Sequence, residues 1–242
     1  MKIKFSVIAL LYAVLLLGAC GGGGGGGGVT PESLAGTWYG TAEDPNGIMW
    51  TVQVTVDNTG TLTSIIRDGV LQEGVRSTGP VVREDGRNVF SFTFTDGTAA
   101  GFIVDGSGQH LGFVDEDFWF GVLQKGASSL PSYNGPDIAG SWNGYTAELS
   151  STFDLVKTYD SQATVETTAN FSGSDSEGGA FNGSIPNYSS FYGRWTGTWT
   201  ASDGSESGGV RAFMSVDKTF VATYACSGAF PAGCSYSVWN KQ

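Results

Sequence analysis

A short pattern written twice constrains this chain more than any other feature. Leu34-Ala35-Gly36-Thr37-Trp38-Tyr39-Gly40 matches Ile138-Ala139-Gly140-Ser141-Trp142-Asn143-Gly144 position by position, with identities at Ala, Gly, Trp and the last Gly. Val122-Leu123-Gln124-Lys125 corresponds in the same way to Val238-Trp239-Asn240-Lys241, and Asp96-Gly97-Thr98 to Asp203-Gly204-Ser205. Self-similarity at a fixed period marks repeated structural units. The chain therefore divides into a first module, 34–126, and a second, 138–242, joined by a linker over 127–137 that is rich in Gly, Ser and Pro.

Each module reads as all-β. Val52, Val54 and Val56 alternate with Thr51, Gln53 and Thr55, and Phe90, Phe92 and Phe94 alternate with Ser91 and Thr93. A period of two places one face of a strand against a core and the other in water. Asp57-Asn58-Thr59-Gly60, Asp68-Gly69, Asp85-Gly86, Asp96-Gly97 and Asp105-Gly106-Ser107-Gly108 punctuate these runs as tight turns, with type I′ hairpins explaining the Asp-Gly pairs. The spacing predicts about eight strands in the first copy: 37–42, 48–56, 61–67, 71–76, 88–95, 99–104, 110–114 and 118–124. Eight short antiparallel strands close into an up-and-down barrel without exposed edges. The second copy parses less regularly, and Asn170 to Asn187, rich in Ser, Gly and Asn, is expected to form long loops.

The N-terminus carries an address. Met1 to Lys4 hold two lysines, Phe5 to Leu17 are nearly all apolar, and Leu17-Gly18-Ala19-Cys20 ends the run on small residues before a cysteine. The apolar stretch is shorter than the ~20 residues of a spanning helix and lacks a basic stop-transfer flank, so residues 1–19 read as a signal peptide. Leu-Gly-Ala-Cys resembles the bacterial lipobox, which implies acylation of Cys20 as the first mature residue and a membrane partner through that lipid. The absence of Asp after Cys20 implies, by the same resemblance, the outer membrane. Residues 20–33 then form a tether: Gly21 to Gly28 are eight consecutive glycines, and by the flexible-chain estimate Gly21 to Thr30 span roughly 17 Å.

Charge and cysteine usage exclude several classes. The chain holds 12 basic and 23 acidic residues; loss of residues 1–19 removes Lys2 and Lys4, leaving 10 basic residues and a net charge of −13. Phosphate neutralisation needs a basic face, so nucleic acid is not an expected partner. Cys226 and Cys234 are an even pair in an oxidising compartment and are expected to form a disulfide stapling a hairpin. Two sulfurs without histidines make a poor zinc shell, and neither metal nor cofactor is expected. His110 is the only histidine and reads as an exposed residue at the start of a strand. Asp115-Glu116-Asp117 is the densest acidic cluster, and reads as a solvated hairpin loop. No nucleophile elbow, zinc helix or phosphate loop is present, so no catalytic residue is assigned.

A Gly-x-Trp at the start of an eight-stranded meander, with a basic residue in its last strand, resembles the lipocalin and calycin pattern. Gly36 and Trp38 carry it in the first copy and Gly140 and Trp142 in the second. The resemblance implies that each tryptophan closes one barrel end beneath Lys125 or Lys241. Gly21 to Gly28 and Gly178-Gly179-Ala180-Phe181-Asn182-Gly183 also resemble surface lipoproteins of the transferrin-binding and factor-H-binding type. The chain has seven tryptophans. Trp195 and Trp199 share a strand face with Gly197 between them, leaving a gap for a ligand or a side chain. With Phe90, Phe92 and Phe94 they are the candidate ligand-binding residues. Two readings follow: barrels that accept a small apolar or amphipathic ligand, or filled barrels whose outer surface recognises a protein, as an adhesin does. The lipobox reading is directly testable. Cys20→Ser is expected to abolish incorporation of labelled palmitate and to move the protein from the membrane fraction to the soluble one; retention of label would refute the anchor.

Overall fold

The computed structural model describes residues 28–84, 88–149, 155–227 and 234–242. Cys20, the Asp85-Gly86 turn and the tether up to Gly27 lie outside the described residues. The first lobe has nine strands: β1 Gly36–Glu43, β2 Met49–Val56, β3 Leu62–Arg67, β4 Val70–Leu71, β5 Val82–Arg83, β6 Val89–Thr93, β7 Ala99–Val104, β8 His110–Asp115 and β9 Phe120–Lys125. They form one antiparallel sheet in the order β4-β3-β2-β1-β9-β8-β7-β6-β5. The sheet curls until its edges are tied through residues 76–81. On one side Ser77 N donates to Leu62 O and Val81 N to Gly60 O; on the other, Thr78 N donates to Thr93 O and Thr95 N to Arg76 O. The strand expected over 71–76 is cut short because Val75 N turns back onto Gln72 O and Gly74 takes a φ of 78°, which favours glycine.

The second lobe is a closed eight-stranded barrel: β10 Gly140–Leu149, β11 Leu155–Val165, β12 Asn170–Asp175, β13 Ala180–Ser189, β14 Arg194–Ala201, β15 Ser207–Met214, β16 Phe220–Cys226 and β17 Cys234–Lys241. A disulfide joins Cys226 to Cys234 across β16 and β17. The long loops expected over Asn170 to Asn187 are instead β12 and most of β13. Their alternation is concealed by glycine: Phe171 faces Gly183, and Gly173 faces Phe181. A Cβ on either glycine would lie within 2.5 Å of the opposing ring, so each glycine is the space that its cross-strand aromatic fills.

Most hairpins use one turn. Gly60 N donates to Asp57 O, Gly108 N to Asp105 O, Phe118 N to Asp115 O and Gly178 N to Asp175 O, and all four donors have positive φ. This is a type I turn followed by a left-handed residue, held by the leading Asp, whose carboxylate accepts further backbone N–H groups. Asp68-Gly69 is a type I′ pair, with positive φ at both residues.

The repeated Gly-x-Trp acquires a physical explanation at the floor of each lobe. Short 3₁₀ turns, Glu32–Leu34 and Gly135–Ile138, precede β1 and β10. Trp38 Nε1 donates to Leu34 O at 2.8 Å, and Trp142 Nε1 to Ile138 O at 2.9 Å. Lys125 Nζ lies 5.8 Å from the Trp38 ring centre and donates to Ser33 O; Lys241 Nζ lies 5.3 Å from Trp142 and donates to Asp137 O. Gly36 and Gly140 have φ of 134° and 142°, and a Cβ on either would press on the lysine stem at 3.1 or 3.0 Å. Glycine is thus required twice over, for its backbone angle and for lysine access.

Sequence patterning does not announce how the lobes meet. The outward faces of β7 to β9 pack against those of β15 to β17 in one buried apolar cluster, which includes Ile103, Phe120, Val122, Phe213, Phe220, Tyr236 and Val238. Counting back from the paired lysines, equivalent positions of the two copies face each other. His110 stacks on Phe220 with ring centres 5.3 Å apart, Phe120 meets Tyr236 edge-on at 5.5 Å, and a Cβ on Gly112 would lie 2.7 Å from that of Ala222. Glu43, 2% exposed, adds ion pairs to Arg194 at 3.1 Å and Arg211 at 2.8 Å. The 127–137 segment also packs down: Tyr133 is buried against Trp195. Because Phe120 contacts Phe213, Tyr224 and Tyr236 at once, Phe120→Ala is expected to cost about 3–5 kcal/mol, read by urea denaturation. A loss below about 1 kcal/mol would mean that the shared wall contributes little.

Candidate ligand cavity

Inside the closed barrel, the inward residues of each strand change character from floor to mouth. On β10 they run Trp142, Gly144, Thr146, Glu148, and on β11 Val165, Ala163, Ser161, Tyr159. Trp142, Phe171, Phe181 and Trp239 make the lower wall. Thr146 Oγ1 lies 2.9 Å from Ser161 Oγ and 2.8 Å from Ser237 Oγ, forming a belt of buried hydroxyls at mid-height. Glu148, Asp175 and Glu206 stand toward the mouth, where Tyr159 Oη donates to Glu148 at 3.1 Å. Burial raises the Tyr159 pKa, and the adjacent Glu148 charge adds to the effect. The cavity volume is about 300 Å³.

The first lobe is more nearly filled, with a cavity of about 160 Å³. Where the second lobe has Thr146, Ser161 and Ser237, the matching register positions hold Ala42, Val52 and Gly121. Its upper end is covered by Trp119, which lies 6.2 Å from Trp50 and carries Arg67 stacked at 4.3 Å. Asp115 lines this cavity, and burial raises its pKa to about 6.

The candidate residues separate into lining and packing. Phe92 and Phe94 line the first cavity and Trp199 the second. Phe90 is fully buried beside Phe102 and Trp195 is buried in the floor, donating to Gly135 O at 3.2 Å; neither lines a cavity. The gap anticipated at Gly197 is closed by backbone: its Cβ would lie 1.8 Å from Ser184 O, at the bulge where β13 shifts register. Trp199 Nε1 is buried without a hydrogen-bond partner. The hydroxyl belt escapes sequence reading because isolated Thr and Ser residues in strands carry no local signal; only barrel closure brings β10, β11 and β17 side by side.

His110 is not the exposed strand-start residue that sequence position suggests. It is 7% exposed, with Nδ1 3.0 Å from Asp105 and Nε2 2.9 Å from Asp217 of the other lobe. Of the Asp115-Glu116-Asp117 cluster, Asp115 and Asp117 line the first cavity, where Asp115 accepts Trp119 N, while Glu116 accepts Ala99 N. Among the described residues no three His, Cys, Asp or Glu side chains are grouped to hold a metal ion.

The geometry defines a two-lobed all-β protein with a floor-sealed cavity in its second lobe. No protein-family model matches the chain, and no curated protein matches it. Among solved structures it is similar to a tryptophan-to-alanine mutant of transferrin-binding protein B from Haemophilus parasuis, at 12% identity and a TM-score of 0.39, covering 84% of this chain and 44% of that one. It is also similar to isotype 1 transferrin-binding protein B from serogroup B Neisseria meningitidis, at 9% identity and a TM-score of 0.34, covering 86% and 43%. A DUF3598-family protein of unknown function from Nostoc punctiforme aligns at 10% identity and a TM-score of 0.36, covering 88% and 98%. The chain spans less than half the length of the two transferrin-binding proteins.

The His110 bridge has a defined pH response. Burial disfavours its charge, but the hydrogen bonds to Asp105 and Asp217 outweigh this and raise its pKa above 6.5. Its stabilisation is therefore complete below pH 6.5 and is lost as pH rises through the raised folded value. Proton NMR of this single histidine should show that elevated midpoint, and Asp217→Asn should lower it; an unchanged midpoint in the variant would exclude the inter-lobe bridge.

Proposed function

We propose that this chain is a non-catalytic binding lipoprotein, anchored at the bacterial outer membrane through Cys20, that takes a small apolar or amphipathic ligand into its second barrel. The cavity of about 300 Å³ carries this reading. It lies at the lower bound of ordinary ligand pockets, roughly 300–1,000 Å³, and has their composition of aromatic walls with a few convergent polar groups. The first lobe's cavity is near the ~150 Å³ of an engineered site that admits benzene, so of the two barrel interiors the second has the greater ligand capacity. The non-catalytic part is supported by the employment of the lone histidine between two carboxylates. Membrane attachment is supported by the lipobox-like tetrapeptide and the glycine tether.

Native mass spectrometry of the protein purified from a membrane extract tests the proposal. A co-purifying small molecule that is lost on denaturation is expected, and Ala163→Trp, which fills the lower wall, should abolish it. A bare protein mass, together with no binding of small apolar probes, would overturn the proposal in favour of surface recognition of a protein.

A further inference from the structure

Resting on that reading of the second barrel, we infer that its ligand is an amphipathic cation: an apolar body seated on the tryptophan floor with a protonated amine at the hydroxyl belt and carboxylate mouth. Three observations carry this. Thr146, Ser161 and Ser237 are 4%, 7% and 5% exposed and face the cavity, yet three hydroxyl protons make two hydrogen bonds among them. One O–H and several lone pairs remain available to an occupant, a costly arrangement for buried groups unless something satisfies them. The first lobe folds with Ala42, Val52 and Gly121 at the matching positions, so the belt is not a requirement of the fold.

The third observation is the sign of the charge. Glu148, Asp175 and Glu206 line the upper cavity, and among the described residues no Lys, Arg or His lines it. A carboxylate or phosphate on the ligand would enter a negative field weakly screened between apolar walls. An ammonium meets acceptors at both levels, hydroxyl oxygens below and carboxylates above, with the Trp199 ring also on the wall as a cation-π surface.

The test uses three probes with one apolar body: 4-phenylbutylamine, 4-phenylbutanol and 4-phenylbutyrate, titrated calorimetrically into the full chain at pH 7.5. The amine is expected to bind at least tenfold more tightly than the acid. Glu148→Gln with Glu206→Gln should bring the amine-to-acid ratio down severalfold, with a smaller change in the alcohol's affinity than in the amine's. Thr146→Ala with Ser161→Ala and Ser237→Ala, which gives the second lobe a small and apolar belt like that of the first, should weaken amine and alcohol together. If the alcohol binds but the acid matches or exceeds the amine, the charge inference is overturned and the cavity stands. If none of the three binds, the cavity reading itself fails and takes this inference with it.

Discussion

The wall shared by the two lobes constrains everything else in the molecule. A small barrel ordinarily buries one face of each strand and wets the other, but β8, β9, β16 and β17 are buried on both. Their sequences are correspondingly continuous in apolar or small residues, as in Phe120-Gly121-Val122-Leu123, because neither face meets water. Equivalent faces of the two copies meet, as in an isologous dimer fused into one chain. Gly112 is the concession to this closeness: a Cβ there would come within 2.2 Å of Tyr236 Oη. The wall also explains His110, which occupies the position that Phe220 takes in the second copy and stacks on it across the interface.

Each lobe then needs its own floor, supplied by the glycine, tryptophan and lysine of the repeat. The indole seals the barrel end while its N–H is satisfied by the preceding 3₁₀ turn, and the lysine lies over the ring with its ammonium on a carbonyl of that turn. A floor built this way leaves the opposite end as the entrance. The acidic, hydroxyl and aromatic levels of the second cavity are therefore stacked in a defined order relative to solvent.

Duplication allowed the copies to diverge inside while keeping their floors and wall. The first lobe places Ala42, Val52 and Gly121 at mid-height and covers its upper end with the Trp50, Trp119 and Arg67 stack. The second places three hydroxyls there and keeps the larger cavity. Packing density favours filling an interior completely, so retention of a hollow with buried hydroxyls in one copy alone is the asymmetry on which the functional reading rests.

Much of this architecture was legible in the chain itself. The repeat marked two modules, alternation and Asp-led turns placed most first-lobe strands, and the cysteine pair indicated the disulfide, all being local or self-referential signals. Of the candidate ligand-binding residues, Phe92, Phe94 and Trp199 line cavities whereas Phe90 and Trp195 are packed away from them, because period two tells inside from outside but not wall from floor. Tertiary structure alone decided the rest. Gly173 and Gly183 look like loop residues until Phe181 and Phe171 are set opposite them, and Thr146, Ser161 and Ser237 become one belt only when β17 returns to β10. His110 meets Asp217 over a separation of 107 residues. The physical reason is common to all three: periodicity fixes which way a side chain points, whereas its surroundings depend on which distant strand closes against it.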